Sequence, residues 1–168
     1  GIPDGFGRGL NTLTYYNSPY VIAYRADAGF EVESLDDPIL RELRIGIHGL
    51  GTPPHTALVY RNLLRNITGF YGSTAGSDDR LAAMIRGLES GEIDVGFGWG
   101  PSTAYWAARA DTEIVVKPIE PQFEPPSLFQ VQPMTMGVRR EDHSLQSLLN
   151  RAIAARWDDI QAVLAEYG

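Results

Sequence analysis

The stretch Arg44–Tyr60, RIGIHGLGTPPHTALVY, passes from a strand pattern to a helix pattern across one tight turn. Leu43–His48 reads as a strand, and the run from Pro53 reads as a helix. Between them lie Gly49, Gly51, Thr52 and two prolines. A turn of this kind aims backbone N–H groups at whatever sits above the strand end. A second stretch, VGFGWGPST at Val95–Thr103, repeats the plan of strand, glycines and proline at a helix start. Proline suits the first helical turn because the N–H it lacks has no intrahelical partner there.

Around these two turns the chain alternates. Strands are expected at Leu43–His48, Ile67–Tyr71, Ile93–Gly98 and Thr112–Lys117, and helices at Pro53–Leu64, Asp78–Ser90 and Pro101–Ala110. The Asp78–Ser90 helix carries Leu81, Ile85 and Leu88 on one face. Ser77 stands ready to cap it, early acids suit its positive end, and Gly91 stops it. Strands alternating with helices imply βαβ units and a mostly parallel sheet, an α/β fold. In such a sheet both glycine turns lie at the carboxyl edge of the strands, where open α/β sheets bind ligands.

The flanks are less regular. Residues 1–18 have no period and read as loop, and Pro19–Arg25 is a β-type run. Ser34–Leu40 allows one short helical turn. Pro118–Gln130 holds four prolines and reads as a connector, and Met134–Arg139 as a short strand. Ser144–Ala155 reads as a helix with Leu145, Leu148, Leu149, Ala152 and Ile153 on one side. Trp157, Ile160, Leu164 and Tyr167 make a second stripe.

Composition removes several function classes. A net charge of −7 argues against nucleic-acid binding, which needs a basic face to release phosphate counterions. The absence of cysteine excludes disulfides, thiolate catalysis and Cys-ligated zinc, and permits an oxidising compartment. No apolar run approaches the ~20 residues of a membrane helix. The opening GIPDGF has neither Met nor a signal-peptide pattern, as in a mature secreted chain or a fragment.

The Gly49-Leu50-Gly51-Thr52 turn has two readings. It is an anion site on free N–H groups, or a tight turn with Thr52 as N-cap. Pro53 and Pro54 remove two donors, which weakens the first. Pro54 stands where a dinucleotide fingerprint needs its third glycine, and no Gly-Lys-Ser/Thr follows for a P-loop. Aromatic residues are the second signal: Tyr15 and Tyr16 before the first strand, Phe97 and Trp99 at a strand end, and Tyr105 and Trp106 on the next helix. Rings suit an apolar or sugar-like ligand, or a protein partner. Phe97 and Trp106 read as core, whereas Trp99, between Gly98 and Gly100, reads as exposed. The candidate ligand- or partner-binding residues are therefore Tyr15, Tyr16, Gly49, Gly51, Thr52, Trp99 and Tyr105. His48, His55 and His143 are scattered, the Asp pairs sit near helix starts, and no G-x-S-x-G elbow exists. No catalytic set, metal site or cofactor is expected, so the chain does not read as an enzyme.

The segments SLDDPILRELRIGIHGLGTPP, LESGEIDVGFGWGP, MTMGVRR and SLQSLLNRAIAARWDDIQAVLAEYG together resemble the type II extracytoplasmic solute-binding proteins. GEIDVGFG is similar to the G-x-[IV]-D-[AV] signature of that family. GIPDGF…YYNSPYVIAYR, TPP, WGP and MGVRR resemble most closely the J proteins encoded beside PQQ-dependent methanol dehydrogenases (the MxaJ and XoxJ type). The resemblance implies two α/β lobes closing at a hinge. It places 1–18 as loop after a missing part of lobe 1, 19–138 as hinge strands and lobe 2, and 139–168 as C-terminal helices returning toward lobe 1. It implies a periplasmic accessory protein for the large subunit of a calcium or lanthanide methanol dehydrogenase, in its apo form or otherwise. The alternative is a transporter's receptor for a small non-amino-acid solute. Amino-acid-binding members carry an Asp for the ligand ammonium where this chain has Trp99, which argues against an amino acid. Self-association through an exposed cleft face is a further expectation.

Overall fold

The computed structural model describes residues 2–3, 7, 9–71, 77–124 and 128–165, leaving aside the side chains of residues 2, 3 and 77–79. In chain order the elements are β1 (Ile2–Pro3), β2 (Leu10–Asn11), β3 (Tyr16–Arg25), β4 (Ile45–Ile47), α1 (Pro53–Tyr60), β5 (Ile67–Gly69), α2 (Ser77–Glu89), β6 (Val95–Trp99), α3 (Gly100–Ala107) and β7 (Ile114–Pro118). There follow β8 (Phe123–Glu124), β9 (Leu128–Phe129), β10 (Val131–Thr135), β11 (Gly137–Val138), α4 (His143–Ala155) and α5 (Trp157–Ala165). The chain divides into two compact units, residues 19–131 and residues 1–18 with 132–168.

The larger unit is a five-stranded sheet in the order β7-β3-β6-β4-β5. β4 pairs in parallel with β5 and β6, while β3 runs antiparallel to both β6 and β7. The alternating segment thus forms its parallel strands, and the strand entering from Tyr16 lies between two of them against their direction. Successive side chains of a strand point to opposite faces. Ile45, Ile47, Val95 and Phe97 join Ile22 and Tyr24 in the cluster that also holds Ala57 and Leu58 of α1. On the other face, Ala23 and Ile93 pack with Leu81, Met84, Ile85 and Leu88 of α2. Glycines occupy the α2 side of β4 and β6. At Gly98 an added Cβ would fall 2.7 Å from Leu81 Cδ2 and collide with Thr103 Oγ1, so that close approach requires glycine.

The base of this sheet is tied by an ion pair. Asp94, the acid of GEIDVGFG, accepts from Arg44 N at 2.7 Å and Arg44 Nε at 2.9 Å, and Arg44 Nη2 lies 2.6 Å from its other oxygen. These bonds join the residues that precede β4 and β6. On the α1 side, Arg61 bridges Asp36 at 2.8 Å and Glu124 at 2.9 Å. Arg61 and Glu124 expose only 18% and 17% of their side chains, so this pair is screened less than a surface bridge. It pins the β8–β9 ribbon, which forms inside the segment read as a connector.

The smaller unit is held largely by pairing that is remote in sequence. β1 pairs antiparallel with β10, and β2 with β11. Two short strands and the start of β3 therefore fall within 1–18, read from sequence as loop, because the partners of the short strands lie at Met134–Val138 and leave no local period. Asn150 of α4 accepts from Leu13 N at 2.8 Å, and Gln146 Nε2 donates to Asn11 O at 2.6 Å. Asp142 caps α4 through Leu145 N. Of the expected α4 stripe, Ile153 is buried, whereas Leu145 and Leu148 stay exposed.

Other elements shift at their ends. α1 stops at Tyr60, short of Leu64, as Asn62 takes a φ of 60° and a 3-10 turn follows at Leu64–Asn66. Asp37 caps the Pro38–Arg41 turn, accepting from Ile39 N. The expected capping of α2 by Ser77 and the stripe position Tyr167 lie outside the described side chains and residues.

The Arg44 bonds hold the Asp94 carboxyl below its ordinary value of 3.8. Its stabilising contribution is complete above that ordinary value and is lost as pH falls through the lower folded-state value. Asp94→Asn should destabilise the chain by about 1 kcal/mol at pH 7, a figure discounted because Arg44 is half exposed. In urea titrations that deficit should shrink as pH falls below 3.8. A pH-independent deficit would contradict this role.

Candidate functional site

Because Ile45 pairs with Val95 and Ile47 with Phe97 in parallel, β4 and β6 end at the same edge of the sheet. The turn at His48–Thr52 and the turn at Gly98–Pro101 therefore stand side by side. β3 meets them in the opposite direction, with Tyr20 directly across from Trp99. Three rings follow one another along this rim. Trp99 is partly exposed and stands opposite Tyr20. The Tyr20 ring stacks on His48 with centroids 6.3 Å apart and planes 27° apart. His48 Nδ1 lies 3.4 Å from Phe97 O, which can only accept, so the proton of that long hydrogen bond is on Nδ1.

Burial sets the charge state here. It lowers the His48 pKa below its ordinary 6.5, with the nearby Arg80 charge acting in the same direction against the Phe97 carbonyl contact. His48 is thus neutral at pH 7. Burial also raises the Tyr20 hydroxyl above its ordinary 10.0, so it stays protonated. The rim presents neutral aromatic surface.

The glycine turn is closed on itself. Gly51 has a φ of 71°, a left-handed conformation that explains glycine there. Its N–H donates to His55 Nδ1 at 3.1 Å. Thr52 occupies the N-cap position of α1 but caps nothing with its side chain. Its hydroxyl donates to Gly49 O at 3.1 Å and fastens the turn. With one turn N–H engaged by His55 and two positions proline, few donors remain for an anion.

The candidate residues fall into three groups. Gly49, Gly51, Thr52 and Trp99 share the rim. Tyr105 is exposed and lies about 7 Å along α3 from the rim by helical rise. There it stacks under the Arg109 guanidinium at 3.6 Å and meets Trp106 edge-on. Tyr15 and Tyr16 belong to the smaller unit, where Tyr15 N donates to Met134 O at 3.1 Å. Phe97 is core, as expected. Sequence reasoning missed Tyr20 and His48 as rim residues. His48 follows its strand directly, which was the available signal.

Two polar groups near the rim lack partners. Thr103 is fully buried beside Gly98, and its Oγ1 makes no hydrogen bond. Arg80 Nε is likewise buried without one.

Since the folded chain holds His48 neutral and the unfolded chain protonates it near 6.5, stability should fall as pH drops below that value. His48→Gln should remove this part of the slope between pH 7 and 5. Nuclear magnetic resonance titration should place the His48 midpoint below 6.5, and a midpoint above it would contradict the assignment.

No family model matches the chain. The curated protein MoxJ of Methylorubrum extorquens is 27% identical over 174 residues, covering 96% of this chain and 57% of that protein. The chain thus spans little more than half the length of that relative. The crystal structure of MxaJ from Methlophaga aminisulfidivorans MPT matches with a TM-score of 0.78 at 21% identity, over 99% of this chain and 72% of that one. The periplasmic binding protein XoxJ from Methylobacterium extorquens AM1 matches with a TM-score of 0.76 at 31% identity, over 95% of this chain and 71% of that one. With the GEIDVGFG strand start, the paired glycine turns and that identity to XoxJ, the chain belongs to the MxaJ and XoxJ group of type II periplasmic binding proteins.

Proposed function

We propose that the chain is part of a periplasmic accessory protein that binds a PQQ-dependent methanol dehydrogenase, of the calcium or lanthanide type, and helps mature or activate it. The rim of the sheet is the binding surface, and Trp99 is its anchor. The observation that carries this reading is the aromatic row Trp99, Tyr20 and His48, neutral at pH 7. A desolvated ammonium without an anionic partner is unstable, so a free amino acid fits this rim poorly. Half-buried aromatic side chains are the groups that most often dominate protein interfaces. The relatives MxaJ and XoxJ support the same direction. On this reading the protein works by association and not by catalysis.

A second reading rests on the unpartnered Thr103 hydroxyl and Arg80 Nε. A receptor delivering a small anionic solute other than an amino acid to a transporter would use such groups.

Crosslinking of the chain to the dehydrogenase large subunit, in apo and PQQ-loaded forms, separates the two readings. Trp99→Ala should weaken capture at least tenfold, about 1.4 kcal/mol, with unchanged circular dichroism. Failure to capture either form would end the first reading. A micromolar small-anion complex in calorimetry, lost in Thr103→Val, would favour the second.

A further inference from the structure

β7 is an edge strand. Among the described residues it pairs only with β3, and just past its end Ser34 bridges Glu120 in parallel on the outer side. Its inner bonds are set by the register, since Ala26 N donates to Glu113 O at 2.9 Å and Ile119 N donates to Tyr20 O at 3.0 Å. Val115 and Lys117, opposite Tyr24 and Ile22, therefore turn their backbone groups inward. Ile114 and Val116 turn theirs outward. Side chains follow the same alternation: Ile114 and Val116 lie on the α2–α3 face of the sheet.

Beside this open edge runs a trough of about 440 Å³, lined by Ile114 and Val116 and by Ala104, Ala107, Ala108 and Ala110. Four methyl side chains leave room that larger residues would fill. The charged groups lining it are Asp111 and Glu113, both exposed. Glu89 is close by, accepting from Asp111 N at 2.6 Å. Arg109 is engaged by the Tyr105 ring and the Tyr105 carbonyl, and Lys117, on β7 itself, lies 3.6 Å from Glu31.

We infer that the outer edge of β7 is a docking site for an extended segment of a partner protein with small apolar residues and flanking basic ones. The segment adds a strand to the sheet. Its backbone pairs with the outward N–H and C=O groups of Ile114 and Val116. Alternate small side chains enter the alanine-lined trough, and lysine or arginine ends meet Asp111 and Glu113. Pro118, with no N–H, limits the pairing to a short segment. The site is separate from the aromatic rim and does not depend on what that rim binds.

The test uses the chain and a fluorescein-labelled peptide, Lys-Ala-Val-Ala-Val-Ala-Lys, followed by fluorescence polarisation at low salt. Saturable binding is expected. N-methylation of alternate peptide nitrogens should weaken it at least tenfold, and so should glutamate in place of the terminal lysines. Val116→Pro removes an outward N–H while leaving the inner bonds to β3, and should weaken binding at least tenfold with an unchanged melting temperature. Should that variant not fold, the N-methylated peptide on the unaltered chain decides. No saturable binding, or equal binding of the N-methylated peptide, overturns the proposal.

Discussion

Arg44 and Asp94 meet just before two adjacent parallel strands, and the placement of everything above them follows from that alignment. A one-residue slip of β6 against β4 would send Val95 and Phe97 to the opposite face. It would also move Trp99 relative to His48 and separate the two glycine turns. The register is thus held twice, by the three Arg44–Asp94 hydrogen bonds at the base and by burial of Ile45, Ile47, Val95 and Phe97 under α1. The first is directional and partly exposed. The second supplies most of the free energy, since each buried side chain contributes about 1.5–3 kcal/mol.

The two faces of the sheet are built on different principles. Large β-branched and aromatic residues fill the α1 face. The α2 face of β4 and β6 is lined with glycine, and the helix supplies the bulk through Leu81, Met84 and Leu88. The asymmetry matters at the rim. Bulk on one face carries the series Val95, Phe97, Trp99 upward to an aromatic end, while on the other face the chain bends at once into α3, with Thr103 against Gly98. A charged rim would need partners for every buried charge. This one needs few, because Tyr20 and His48 are both kept neutral by burial.

Much of the larger unit was legible in the sequence because its elements repeat within short windows. Ile45 and Ile47, then Leu81, Ile85 and Leu88, declare their periods locally. The two glycine-proline corners announced their shared edge as soon as the sheet was read as parallel. What stayed hidden was long-range pairing. Nothing near Tyr20 marks Trp99 as its neighbour, and nothing in residues 1–18 marks Thr135 or Val138. Apolar periodicity also misled at α4, where Leu145 and Leu148 match the stripe and remain exposed. Tyr105 looked like rim by its place in the sequence, but helical rise carries it down the flank toward Arg109. The pairing of β8 with β9 stayed hidden in a proline-rich stretch of sequence, since its anchor, the Arg61–Glu124 pair, joins residues far apart in the chain.

β6 and β7 are joined by α3 and run in the same direction, yet they do not touch: β3 fills the space between them. The consecutive βα units therefore enclose a slot one strand wide, bounded by two facing rows of backbone donors and acceptors. Only a chain of opposite polarity from elsewhere in the sequence occupies it. Ile22, Ala23 and Tyr24 close that slot and join both hydrophobic layers at once. The sheet is consequently a clasp, complete only when its earliest long strand has been threaded between two of its latest.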